Sequence, residues 1–106
     1  MIDLPEVLEA LRAVVAEKGA DYVYPHVVGV YAIDGKPACI VGHVYARFGL
    51  LDETTCDSGS PAYKLHRYRI SQAGRRALDN AQQEQDGRGA GHGTWGEALA
   101  AAEAVR

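Results

Sequence analysis

The chain has 106 residues, of which 47% are hydrophobic and 24% are charged, and its formal net charge is −3. This length and composition predict one globular domain, residues 1–106, with a core of its own. No apolar run approaches the roughly 20 residues of a membrane-spanning helix, and the acidic balance argues against a protein that coats nucleic acid. Residues 1–5 lack the basic and apolar regions of a secretory signal, so we expect a cytoplasmic protein with reduced cysteines.

The first predicted element is an amphipathic helix over residues 4–18. Its apolar side chains recur at the three- and four-residue spacing of one helix face, and its acidic side chains fall elsewhere. Asp3 is a natural N-cap, and Glu6 completes a capping box with it. Gly19 follows Lys18, so the helix is expected to end there with a cation in its last turn.

Two segments are predicted to be extended. Residues 21–33 are rich in tyrosine, valine and isoleucine, which favour strands, although Pro25 and Gly29 interrupt the run. Residues 63–70 follow a polar loop with turn-forming residues and have a similar character. The sequence therefore predicts a strand or a bent strand pair in the first segment and a second strand in the other.

The least polar stretch, residues 34–49, separates these two segments. Its large apolar side chains have the spacing of a helix with a wide apolar face, which predicts a helix at the centre of the core. Pro37 fits a first helical turn, and Gly49 fits a left-handed C-terminal cap. The alternative is a hairpin with Asp34-Gly35 as its two-residue turn. The helix is favoured because Pro37 would interrupt the hydrogen bonds of the second strand.

The C-terminal third is predicted to contain two helices. Ser71 is the expected N-cap of a helix over residues 72–86, whose inward face is rich in alanine. The glycine-rich residues 87–93 are expected to form a flexible connector. Thr94 and Glu97 form a capping box that opens the last helix. The predicted fold is therefore α+β: a single small domain of about four helices with a small β-sheet, in the order α-β-α-β-α-α.

Residue types that could bind a metal, catalyse a reaction or bind phosphate are scattered along the chain. Cys39 and His43 have the i, i+4 spacing of two zinc ligands on a helix, but Cys56, His66 and His92 add no recognised ligand spacing. Cys56 and His66 have the residue types of a nucleophile and a base, without any sign of the required geometry. The glycine-rich run before the last helix lacks the lysine of a phosphate-binding loop. We expect no catalytic residue, no metal site and no cofactor.

One basic patch interrupts this acidic chain. It consists of Lys64, Arg67, Arg69, Arg75 and Arg76, and no acidic residue lies between positions 64 and 78. A solvated face balanced by nearby acidic residues explains the patch without any partner. Phosphate contacts to nucleic acid are the functional alternative.

Two stretches next to this patch match a known pattern. They are Phe-Gly-Leu-Leu-Asp at 48–52 and Tyr-Arg-Ile-Ser-Gln-Ala-Gly-Arg-Arg-Ala-Leu at 68–78. Together they resemble winged helix-turn-helix regulators, in which a recognition helix, a wing and a further helix follow in this order. The resemblance implies wing contacts to phosphates from the patch, and a groove-facing helix surface. That surface would carry Lys36, His43 and Arg47.

A second resemblance covers most of the chain. It rests on Asp-Gly-Lys-Pro-Ala-Cys-Ile-Val-Gly-His-Val at 34–44, on the pairs Ala81-Gln82 and Gln85-Asp86, and on Thr-Trp-Gly-Glu-Ala at 94–98. This set is similar to small proteins of actinobacteria and their phages, a group to which no activity is assigned. The resemblance implies a phage or mobile-element accessory protein that acts by binding.

The predicted function is a non-enzymatic interaction module that binds a host protein or a second copy of itself. Aromatic residues of the type enriched at interfaces support it. They are Tyr22, Tyr24, Tyr31, Tyr63 and Trp95. The alternative is a winged-helix-like DNA-binding protein that uses the basic patch. No membrane partner is expected.

Overall fold

The computed structural model describes residues 1–24, 32–33, 36–50, 67–87 and 93–105. Its elements follow one another along the chain as α1 (Leu4–Lys18), β1 (Ala32–Ile33), β2 (Lys36–Pro37), α2 (Ile40–Arg47), α3 (Gln72–Asp86) and α4 (Trp95–Glu103). No helix among these residues is long and apolar enough to cross a membrane.

The described part of the chain is all-α, so the predicted α+β class is wrong. Its only strand ladder pairs β1 with β2, antiparallel and two residues long on each side. Of the described residues of the predicted strands, Val23 and Ile70 make single bridges instead, and residues 25–31 of the first predicted strand lie outside the described part. Val23 bridges to Thr94, and Ile70, which is fully buried, bridges to Ile2. For Ile70, strand propensity reflects a preference for a buried, extended position, which the start of a helix supplies as well as a sheet does.

The central stretch contains parts of both predicted alternatives. Pro37 lies in β2 rather than in a first helical turn, and its Cα partner in β1 is Ala32. The helix follows only after Cys39, whose sulfur accepts a hydrogen bond from the Gly42 N–H and acts as the N-cap. Gly49 adopts φ +71°, the left-handed conformation expected after this helix. The central helix is therefore present but shorter than predicted.

The prediction of a second strand over residues 63–70 is wrong for residues 67–70, which are the described part of that range. Residues 67–70 form a turn in which the Ile70 N–H donates to the Arg67 carbonyl. Residues 63–66 lie outside the described part. The turn is held to the chain start by backbone bonds from the Ile2 N–H to the Arg69 carbonyl at 2.8 Å, and from the Ser71 N–H to the Ile2 carbonyl at 2.7 Å.

Helices α1, α3 and α4 begin where their capping residues predicted. Asp3 with Glu6 and Thr94 with Glu97 form complete capping boxes, and the Ser71 hydroxyl accepts from the Gly74 N–H. Each box satisfies amide groups that the first helical turn leaves without an intrahelical partner. The predicted bounds of α1 and α3 are confirmed.

The predicted connector, residues 87–93, is fixed at both of its described ends. Gly87 caps α3 with φ +85°, and the Gly93 N–H donates to the carbonyls of Glu84 and Gln85. A Cβ at Gly93 would overlap the Glu84 carbonyl oxygen, so this close approach requires glycine. Residues 88–92 lie outside the described part.

The core is shared by all of the helices named above. Helix α1 contacts α2, α3 and α4, and α3 packs along α4. The buried apolar residues are Val7, Ala10, Leu11, Val14, Val15, Tyr24, Cys39, Ile40, Val41, Val44, Tyr45, Leu50, Ile70, Ala77, Leu78, Ala81, Trp95, Ala98 and Ala102. In α2, Ala46 and Arg47 remain exposed, His43 is half-buried, and the other residues are buried.

Candidate protein-interaction surface

An open groove lies between α1 and the C-terminal end of α2. Two adjoining depressions form it, and both are lined by Glu6 and Phe48. The first also involves Glu9, Ala10, Ala13 and Arg47, and the second involves Met1, Ile2, Leu50, Tyr68 and Arg69. We call this surface the α1–α2 groove.

The exposed rim of the groove is apolar where the chain start meets the turn before α3. Met1 is 88% exposed and Tyr68 is 73% exposed. The backbone bonds that join Ile2 to Arg69 and Ser71 hold these two residues on the same side of the molecule. Large exposed apolar side chains beside a depression are typical of surfaces that bind another molecule.

Charged side chains of both signs flank the apolar lining. Glu6 and Glu9 project from α1, and Arg47 and Arg69 lie on the other elements of the groove. One carboxylate oxygen of Glu6 accepts from the Asp3 N–H in the capping box. Within the described part of the chain, Glu9, Arg47 and Arg69 take part in no ion pair. Their charges are therefore available to a partner.

The basic patch does not form one free surface. Both terminal nitrogens of Arg67 donate to the Asp79 carboxylate, at 3.0 and 3.2 Å. Arg75 is half-buried, and Arg69 and Arg76 are exposed. Lys64 lies outside the described part. The bidentate pair with Asp79 occupies the donors that a phosphate would need.

The helix that the winged-helix resemblance offers to DNA is a core helix. Val44 and Tyr45 of α2 are fully buried, and α2 lies against α1 and α3. The His43 ring is half-buried and packs edge-on to Trp95, with ring centroids 5.3 Å apart. Arg47 is exposed at the helix end and belongs to the α1–α2 groove. Of Lys36 only the backbone is described.

Cys39 and His43, which have the spacing of two zinc ligands, both contact the interior of the molecule. Cys39 is fully buried, and burial raises the pKa of its thiol to about 12. Burial and the nearby Lys18 charge lower the pKa of His43. The described residues contain no cluster of three or more potential metal ligands. Cys56, His66 and His92 lie outside them.

The amide groups at the start of α4 are used within the protein. The Trp95 N–H donates to the Tyr22 carbonyl at 2.8 Å, and the Gly96 N–H donates to the Ala20 carbonyl at 2.9 Å. The capping box takes up the amides of Thr94 and Glu97. A phosphate would have to displace these bonds, so this helix start anchors α4 to the end of α1.

Sequence reasoning missed the residue that links α3 to the start of α2. Gln85 is fully buried, and its amide oxygen accepts a hydrogen bond from the Ile40 N–H at 2.9 Å. The signal was present, because Gln85 continues the inward row of Ala77 and Ala81 at four-residue intervals. A polar side chain in such a row needs a buried partner.

The aromatic residues chosen from the sequence as interface residues are largely interior. Trp95 and Tyr24 are buried, and Tyr22 packs edge-on to Trp95 with ring centroids 4.6 Å apart. Tyr31 and Tyr63 lie outside the described part. The aromatic residue that the structure exposes is Tyr68, which no apolar periodicity singles out.

Comparisons with protein-family models, curated proteins and solved structures gave no match.

Proposed function

We propose that this protein is a non-enzymatic interaction module that binds another protein through the α1–α2 groove. The observation that carries the proposal is the exposed pair Met1 and Tyr68 beside an apolar lining. Burial of such side chains at a contact removes apolar area from water, at roughly 25 cal/mol per Å². Tyrosine and arginine are also the residue types that dominate binding energy at interfaces, and Tyr68 and Arg69 are adjacent here.

The chemistry-bearing side chains in the described ranges support binding over catalysis. Cys39 is a buried cap with a raised pKa, and His43 packs against Trp95. Neither of them lines the groove. The groove itself offers carboxylates, guanidinium groups and apolar surface, which are recognition groups.

The expected class of partner follows from the sequence resemblance. If the chain is an accessory protein of an actinobacterial phage or mobile element, a protein of the host cell is a natural target for such a surface. A second copy of the chain is the other candidate, because the groove carries charges of both signs.

A site-specific photo-crosslinker tests the proposal. We would place it at Tyr68, in the groove, and in a matched variant at Ala100, which is exposed on α4. The expected result is a discrete protein adduct from Tyr68 in cells, weakened by Phe48→Glu, and no such adduct from Ala100. Equal adducts from both positions, or none from Tyr68, would contradict the proposal. Matching thermal unfolding of the variants would show that the fold is retained.

A further inference from the structure

The arrangement of charge across the α1–α2 groove identifies the kind of surface that fits it. Glu9 lies on the α1 side and Arg47 at the end of α2, on either side of a lining that includes Ala10, Ala13 and Phe48. Both side chains are exposed, and neither forms an ion pair within the described ranges. A matching partner therefore presents a basic group opposite Glu9 and an acidic group opposite Arg47.

A second copy of the same surface meets this requirement. In a two-fold contact the same patch is used twice, so that residue i of one copy faces residue j of the other, and the reverse. A two-fold axis passing between Glu9 and Arg47 brings the acidic side of one groove against the basic side of the other. The half-buried Phe48 and the small residues Ala10 and Ala13 then lie close to the axis.

We propose that the occupant of the groove is a second copy of this chain, in a two-fold dimer in which Glu9 faces the partner's Arg47. This inference rests on the proposed function, because it names the partner of the same surface. The two symmetry-related charge pairs fix the relative orientation of the copies, and the apolar lining supplies the buried area.

Charge reversal provides a test with an internal rescue. Glu9→Arg alone places like charges opposite each other twice, and so does Arg47→Glu alone. We expect each variant to dissociate at least roughly tenfold more readily than the wild type, because like-charge contacts disfavour association. An equimolar mixture of the two variants restores both opposite-charge pairs and should regain the dimer. Sedimentation velocity over a series of protein concentrations measures the monomer–dimer equilibrium of the wild type, of each variant and of the mixture.

The matched control is Glu17→Arg, which makes the same change in charge on α1 outside the groove. It should leave the dimer intact, and thermal unfolding of every variant checks its fold. The inference is overturned if the wild type is monomeric throughout, if both reversals leave the dimer unchanged, or if the mixture fails to recover it.

The cross-linker at Tyr68 separates this inference from the proposed function. A monomeric wild type that still gives a Tyr68-dependent adduct with a different protein refutes the second copy and retains binding through the groove. No adduct of either kind overturns both. An adduct of twice the chain mass, lost in either reversal and recovered in their mixture, supports both.

Discussion

At the scale of single residues, the Gln85 amide is the interaction that joins α3 to the start of α2. It adds to the N-cap of α2, because the Cys39 sulfur is a weak acceptor that takes the Gly42 N–H, whereas the Gln85 oxygen takes the Ile40 N–H. The Ile40 N–H is buried, so without Gln85 it would have no access to water. The position of α2 in the core thus depends on one polar side chain.

Replacing Gln85 with methionine tests this dependence. Methionine keeps most of the volume but removes the acceptor, and a buried donor left unsatisfied costs roughly 1–3 kcal/mol. We expect the free energy of unfolding to fall by about that amount in urea denaturation. Gln72→Met, at an exposed position of the same helix, is the control and should stay within about 0.5 kcal/mol of the wild type. Wild-type stability of the Gln85 variant would show that Ile40 has another partner.

His43 makes stability depend on pH. Burial against Trp95 and the Lys18 charge lower its pKa in the folded state below the ordinary 6.5, while Glu17 acts in the opposite direction. Because the unfolded chain then binds the proton more readily, the stability contributed by neutral His43 is present above about pH 6.5 and is lost as the pH falls through the folded-state pKa.

Titration of the His43 ring by NMR measures this effect directly. Lys18→Gln removes the repulsive charge and should raise the pKa of His43, whereas Glu17→Gln should lower it further. The two variants change adjacent positions and serve as controls for each other. Shifts of the same sign in both would show that the two charges do not act on this ring, and a pKa at or above the ordinary value would exclude burial as the dominant cause.

At the scale of elements, α2 packs against α1 and α3, and a charge inside it should prevent folding. Val44 is fully buried, so Val44→Asp places a carboxylate without a partner in the core. The expected cost is a large part of the total stability, which is about 5–15 kcal/mol for a domain. Ala46→Asp is the matched control, because Ala46 is exposed on the same helix. A cooperative melt of Val44→Asp near the wild-type temperature would place α2 outside the core.

The elements that the sequence predicted well are those defined by local chemistry. The bounds of α1 and α3 follow from Asp3, Ser71 and Gly19, whose hydrogen bonds and backbone angles involve near neighbours. The start of α2 depends instead on Gln85, 45 positions away from Ile40. The bridges of Val23 and Ile70 also depend on residues distant in sequence, Thr94 and Ile2, which local patterns do not reveal.

The candidate surface was harder to predict than the core, because exposure has no periodic signal. Tyr68 stands between two arginines in a stretch that was expected to be a strand, and its exposure depends on the turn that Ile2 holds in place. Trp95 and Tyr24 were assigned to an interface by residue type, but a small core uses the same large side chains. The helical stripe of α1 predicted its buried face, and the groove lies along one edge of that face, since the buried Ala10 also lines it.

At the scale of the whole molecule, charge argues against DNA as the partner. The net charge is −3, and the bidentate pair with Asp79 neutralises Arg67 in the basic patch. The helix that would enter the major groove is buried on both sides by α1 and α3. Sequence-independent binding to DNA requires several basic side chains that can contact phosphates at the same time. Because Arg67 is paired with Asp79, the described residues of the basic patch do not form one such surface.

We therefore expect no binding to random-sequence duplex DNA, even near 50 mM salt, where phosphate contacts are favoured. Fluorescence anisotropy with a labelled duplex is the measurement, and the double variant Arg69→Gln with Arg76→Gln removes the two arginines of the patch that are exposed. The contrary result is binding by the wild type, with a slope of log affinity against log salt concentration that is smaller in magnitude by about two in the double variant. That result would show that the two side chains contact phosphates, and it would support the winged-helix alternative. Lys18→Gln, which removes one positive charge at the far end of α1, is the control for net charge. Binding with an unchanged slope in the double variant would also contradict the prediction, but it would place the DNA contact on another face.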